Sequence, residues 1–193
     1  MALQMVRSPG LPLVTTTARD NNLAQEKIFG LVQRSERPGR PAPSQLPLVL
    51  SERELNALLS RHLQQVGEFP LSDVTVRLPT ARRVEVAGRV PFRALVSEPP
   101  LTALGAALPK SWLERRVWLH FEADARVEPA ASGRRRYLRL DVTRFAVGRQ
   151  AFPNVLLRLV LDPAMLGLLR WPLPDAVADI VIEPGRAVIK TAS

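Results

Sequence analysis

From Val117 to Glu128 the chain alternates without a break. Val117, Leu119, Phe121, Ala123, Ala125 and Val127 hold one parity. Trp118, His120, Glu122, Asp124, Arg126 and Glu128 hold the other. Side chains of a strand point to opposite faces in turn, so this is a strand with one buried and one wet face. The chain turns at Ala131-Ser132-Gly133. It returns through Leu138, Leu140 and Val142, interleaved with Tyr137, Arg139, Asp141 and Thr143. Strands of this length usually curl or bulge. Their apolar face must be covered by another layer.

One cover is announced by Leu48 to Leu59. Ser51 and Glu54 have capping-box spacing, in which each side chain takes the other's free backbone N–H. Leu50 and Leu55 fall at the positions of a hydrophobic staple. The helix predicted from Ser51 to Val66 puts Leu55, Leu58, Leu59, Leu63 and Val66 on one side, and Gly67 closes it. A second helix is expected from Pro153 to Arg170, with Pro153 in its first turn and a break or kink at Pro163.

Two more alternating runs, Asp73 to Leu78 and Arg83 to Phe92, are close enough to form a hairpin. Pro99 to Lys110 reads as a short helix or a lid. Asp179 to Glu183 and Ala187 to Thr191 flank a Pro184-Gly185 turn, a small closing hairpin. Residues 1 to 45 read as a tail, partly helical: a helix is expected from Ala18 to Arg34, with Leu23, Ile28, Leu31 and Val32 only loosely spaced for one face, ahead of a proline-rich linker. The expectation is therefore an N-terminal tail over 1–45 and a single α+β domain over 46–193. In it a curved, mainly antiparallel sheet packs on one or two apolar helices.

Composition narrows the chemistry. Apolar residues are 46% and aromatics 5%, so a core is built mainly from Leu, Val and Ala. The absence of cysteine removes disulfides, thiolate metal sites and cysteine nucleophiles. The net charge of +9 comes almost wholly from arginine, since Lys27, Lys110 and Lys190 are the only lysines. That balance favours anionic partners, nucleic acid or phospholipid head groups; arginine-rich codons of a GC-rich genome account for it equally well. Met1 to Pro9 lacks the apolar run of a secretory signal. Val155 to Trp171 is broken by Arg158, Asp162, Pro163 and Arg170, so it does not read as a simple membrane span.

No catalytic constellation emerges. His62 and His120 are the only histidines and do not form a metal-ligand pair on one helix. Glu122, Asp124 and Glu128 share a strand face with Arg126, which suits cross-strand ion pairing better than acid–base work. Glycine-rich phosphate loops and the serine-hydrolase elbow are absent. Arg134-Arg135-Arg136 in a hairpin turn fits a solvated loop, or a contact to phosphate. The run from Val155 to Trp171 is apolar nearly all round. It is either buried, or it lines an apolar cavity or rests in a membrane interface with Arg158, Arg170 and Trp171 at head-group level.

Three places carry a family resemblance: Leu50 to Leu59; Leu138 to Pro153, with a strand running through Val147-Gly148-Arg149 into Phe152-Pro153; and Leu173-Pro174 with the closing hairpin. Over residues 46 to 192 the chain resembles the YpmS-like bacterial domains of unknown function. The resemblance implies a membrane-anchored, extracytoplasmic domain, although no segment of this sequence reads as the anchor. More distantly, the element order resembles tubular lipid-binding folds, in which a bent sheet wraps a long helix.

The expected function is a non-enzymatic, cofactor-free cell-envelope domain that binds lipid or another hydrophobic ligand between sheet and helices. The apolar lining is assigned to Leu156, Leu159, Val160, Leu166 and Leu169, with Trp112 and Trp171 at the rim. Arg158 and Arg170 are assigned to head-group contact. The alternatives are an interaction scaffold that adds a partner strand at a sheet edge, and charge-driven nucleic-acid binding.

Overall fold

The structure, a computed structural model, describes residues 14–35, 47–66, 71–96, 102–129, 136–153 and 169–191. It is α+β, and every strand pair in it is antiparallel.

The larger sheet is built around the long hairpin. β4 (Arg116–Pro129) pairs with β5 (Arg136–Val147), and β3 (Arg83–Pro91) flanks β4 on its other side. β2 (Ser72–Arg77) forms one edge. β6 (Gln150–Phe152) and β7 (Arg170–Leu173) pair with the two ends of β5. The smaller sheet has the order β1 (Leu48–Ser51), β9 (Arg186–Thr191), β8 (Val177–Glu183). The Pro184-Gly185 turn is where it was expected, with Gly185 at φ 74, a conformation that suits glycine.

The two sheets share one core. Ala125 and Val84 of the large sheet pack with Ile182 and Ala187 of the small one, and Leu78 joins them. Backbone bonds tie the seam: Arg82 N–H donates to Ile182 O, and Gly185 N–H to Leu78 O.

The capping box forms as its spacing predicts. Ser51 N–H donates to Glu54 Oε2 at 2.8 Å, and Glu54 N–H donates to Ser51 Oγ at 3.3 Å. From it runs α2 (Glu52–Val66), packed along β2. Before it lies α1 (Ala18–Ser35), opened by a second capping box: Thr17 N–H donates to Asp20 Oδ2, and Asp20 N–H to Thr17 Oγ1. The short helices α3 (Phe92–Leu95), α4 (Thr102–Ala107) and α5 (Lys110–Leu113) connect β3 to β4, so the Pro99–Lys110 segment contains a short helix.

Three features differ from the sequence expectation. α1 was placed in a tail ahead of a boundary at residue 46, yet it docks on the fold. Its Lys27 ammonium donates to Val49 O at 2.8 Å and to Glu54 Oε1 at 2.6 Å, while Ala24 and Leu31 are buried. The strand expected to run through Val147-Gly148-Arg149 instead reverses there. Gly148 takes φ 61, and β6 folds back on β5.

The helix expected to reach Arg170 stops short of it, because Arg170 opens β7. Pro172 sits where a β-edge tolerates a missing N–H donor. The rest of that expected helix, residues 154–168, lies outside the described residues, as does most of the Arg134–Arg136 turn.

The long hairpin bulges, as strands of its length tend to. Phe121 pairs with Phe145 and Glu122 with Arg144, but Ala123 pairs with Val142, so Thr143 is the extra residue. One inserted residue reverses the parity of a strand. Leu138 and Leu140 before the bulge, and Phe145 and Val147 after it, thereby belong to the same inner face.

Candidate functional site: an apolar cavity

The inner face of the large sheet is not closed by side chains alone. Between it and α2 lies a cavity of about 400 Å³. α2 contributes Leu55, Leu58, Leu59, His62 and Leu63, one face of the helix at successive turns. The sheet contributes Val74, Val76, Val84, Val86, Leu119, Phe121, Leu138, Leu140 and Phe145, all from the inward parity. The small sheet adds Ile180, Ile182, Ala187 and Ile189, and α1 adds Ile28.

Among the described lining residues, His62 is the one with an exposed side chain. His62 therefore marks the side of the cavity nearest solvent, towards the end of α2. There the His62 and Trp171 rings stand 6.1 Å apart, tilted by 50°. At the opposite end Leu50 and Ile189 are buried and close the floor.

β2 makes the side wall through a close approach to β3. The register slips between Ser72 and Thr75, and Asp73 takes φ 52 in the irregular stretch. A Cβ on Gly88 would come within 2.6 Å of Leu71 Cδ2 and 3.2 Å of Val74 Cγ2. A Cβ there would push the Leu71 methyl aside.

The energetics of this space are unusual. Left empty, this space leaves an apolar wall without packing partners, a cost that grows with the unfilled volume. Water relieves little of it, since a buried water needs two to four polar partners and this wall supplies almost none. An apolar occupant removes the penalty and gains the transfer free energy of its own surface.

The residues assigned from sequence fall in three groups. Leu169 and Trp171 line the cavity. Leu156, Arg158, Leu159, Val160 and Leu166 lie outside the described residues. Trp112 and Arg170 do not line it. Trp112 sits on α5 with the Arg115 guanidinium 5.0 Å from its ring centre. Arg170 alternates with the inward Leu169 and Trp171, so it faces outward, 4.3 Å over the Tyr137 ring. Strand parity thus removes Arg170 from the mouth, where a helix would have left it beside Trp171.

Sequence reasoning assigned none of the wall supplied by α2, the strands and Ile28. The signal was present: these are the apolar parities that needed a cover. That the cover leaves a gap depends on side-chain volumes across elements far apart in the chain.

The outer face of the sheet carries the charge. Arg126 bridges Asp141 at 2.7 Å and Glu128 at 3.0 Å; Arg139 bridges the same two carboxylates at 2.8 and 3.3 Å. Glu122 pairs with Arg83 and Arg144. Glu122, Asp124 and Glu128 are thus all held by arginines, as cross-strand pairing requires. Further along this face Trp118 Nε1, His120 Nε2 and Glu85 Oε2 are buried without a hydrogen-bond partner among the described residues. Burial pushes the His120 pKa down, and the nearby Glu85 and Glu122 carboxylates offset part of that.

No protein-family model, curated protein or solved structure matches the chain. Among the described residues, no helix is long and apolar enough to cross a membrane.

Proposed function

We propose that this protein is a non-enzymatic binding domain that holds the hydrocarbon part of a lipid between its sheet and α2. The apolar cavity opening beside His62 and Trp171 carries the reading. Its volume lies within the range of small-molecule sites, and its wall is almost entirely hydrocarbon. The net charge of +9 supports work beside anionic membrane surfaces. The resemblance to the YpmS-like domains is in keeping with a location outside the cytoplasmic membrane.

Native mass spectrometry of the full chain, before and after incubation with vesicles of mixed phospholipid, lysophospholipid and free fatty acid, tests this. The full chain is needed because Ile28 of α1 belongs to the wall. Adducts of lipid mass that survive high salt are expected, since hydrocarbon burial is not screened. A bare protein mass throughout overturns the reading and brings forward a scaffold that pairs through its sheet edges.

A further inference from the structure

Resting on that reading, we infer that the ligand is a single-chain amphiphile, recognised by its tail and with its head group left outside the mouth. Three observations lead there.

The first is size. At roughly 30 Å³ for each water-sized group, a cavity of about 400 Å³ holds one chain of about a dozen carbons. The two tails of an ordinary phospholipid need well over twice that space.

The second is the chemistry of the wall. Apart from His62 at the mouth, the described lining residues carry no titratable side chain. A charged or strongly polar head drawn inside would lose its hydration with nothing to replace it. The tail enters and the head stays in water.

The third is the mouth itself. His62 and Trp171 frame it, while Arg170, the nearest arginine in sequence, is turned to the opposite face over Tyr137. Trp171 presents a ring suited to the boundary between hydrocarbon and water. No arginine is among the described lining residues, and the wall they form favours neither a phosphate nor a carboxylate over a neutral head.

The test is a titration of the full chain, read by native mass spectrometry and tryptophan fluorescence. The probes are saturated fatty acids from octanoate to stearate, lysophosphatidylcholine, and dioleoyl phosphatidylcholine vesicles. Affinity is expected to climb with chain length to about laurate or myristate and then flatten. Lysophosphatidylcholine should bind within a few-fold of the fatty acid with the same chain, and the two-chain lipid about tenfold more weakly or worse.

A nitroxide placed near the head of a stearate should quench Trp171 more than one near its methyl end, and Trp171→Phe should abolish the difference. Two-chain lipid binding as tightly as single-chain lipid overturns the inference and leaves lipid binding standing. So does a large preference for one head group at fixed chain length, or stronger quenching from the methyl end. Uptake of none of these ligands overturns the lipid-binding reading itself.

Discussion

The Asn56 side chain pairs with both backbone groups of Val76. Its Nδ2 donates to Val76 O at 2.7 Å and its Oδ1 accepts from Val76 N–H at 2.7 Å. An amide on α2 thus behaves as one residue of a neighbouring strand and closes the open edge of β2. Nδ2 also donates to Glu52 O at 2.7 Å, and the residue is 2% exposed. Glu52 adds to the same edge by accepting from Leu78 N–H. These bonds hold the helix beside the sheet at the distance the cavity requires.

Asn56→Ala strips two partners from a buried strand edge, where each orphaned group costs about 1–3 kcal/mol. Urea denaturation should show a loss of about 2–4 kcal/mol. Asn56→Asp should keep the bond from Val76 N–H but turn an acceptor oxygen toward Val76 O and Glu52 O in a buried site, and so lose at least as much as Asn56→Ala. An Asn56→Ala protein of wild-type stability would show that the pairing contributes nothing.

Glu54 joins α1, β1 and α2. Burial raises its pKa, but hydrogen bonds from Lys27 and Ser51 outweigh burial and hold the carboxyl below its ordinary value. The unfolded chain then binds the proton more readily than the folded one. The contribution is fully present above the ordinary carboxylate range and is lost as pH falls through the folded value. Glu54→Gln should cost about 2 kcal/mol at neutral pH. The gap to wild type should narrow in strongly acid solution, as followed by denaturation at a series of pH values. A gap that does not change with pH would rule out this origin.

His120 titrates higher on the scale. Its folded pKa lies below the ordinary 6.5 because of burial. In the window just under 6.5 the unfolded chain binds more protons, so stability rises with pH and falls as the solution is acidified. His120→Gln should flatten that slope and leave the lower-pH loss from Glu54 in place. A wild-type curve already flat across the histidine range would contradict it.

Filling the cavity separates void from core. Val86 faces the cavity, whereas Val90 is 0% exposed in a closed cluster. Val86→Phe should leave stability unchanged or raise it by up to ~1–2 kcal/mol, as cavity-filling changes do. It should also reduce lipid uptake. Val90→Phe should destabilise by about 1–3 kcal/mol through overpacking. Equal destabilisation by both would mean that Val86 faces no usable space.

Patterns confined to neighbouring residues were legible. Ser51 and Glu54 lie three apart, and the parities of β2, β3 and β4 follow from residues two apart. Relations that depend on distant partners were not. β1 is four residues long and finds its register on β9, where Leu48 faces Ile189. Thr143 became a bulge because β4 offers one residue fewer, which the alternation of β5 alone does not record. On α1 the expected face used Leu23, which is 39% exposed, whereas the helix docks through Ala24, which is 0% exposed. A small side chain permits close approach, and weighing only large apolar residues hides it. The cavity was the least legible feature, because a gap is a property of what surrounding side chains fail to fill.

The docking of α1 has a thermodynamic consequence. Ile28 is part of the cavity wall, so an occupant that touches it binds better when α1 is seated. By reciprocity, occupancy raises the free energy of detaching α1 by the same amount. Loading inside the fold is thereby reported on its surface. Amide exchange along Ala18–Ser35 should slow when the cavity fills, which makes the N-terminal helix a gauge of cargo.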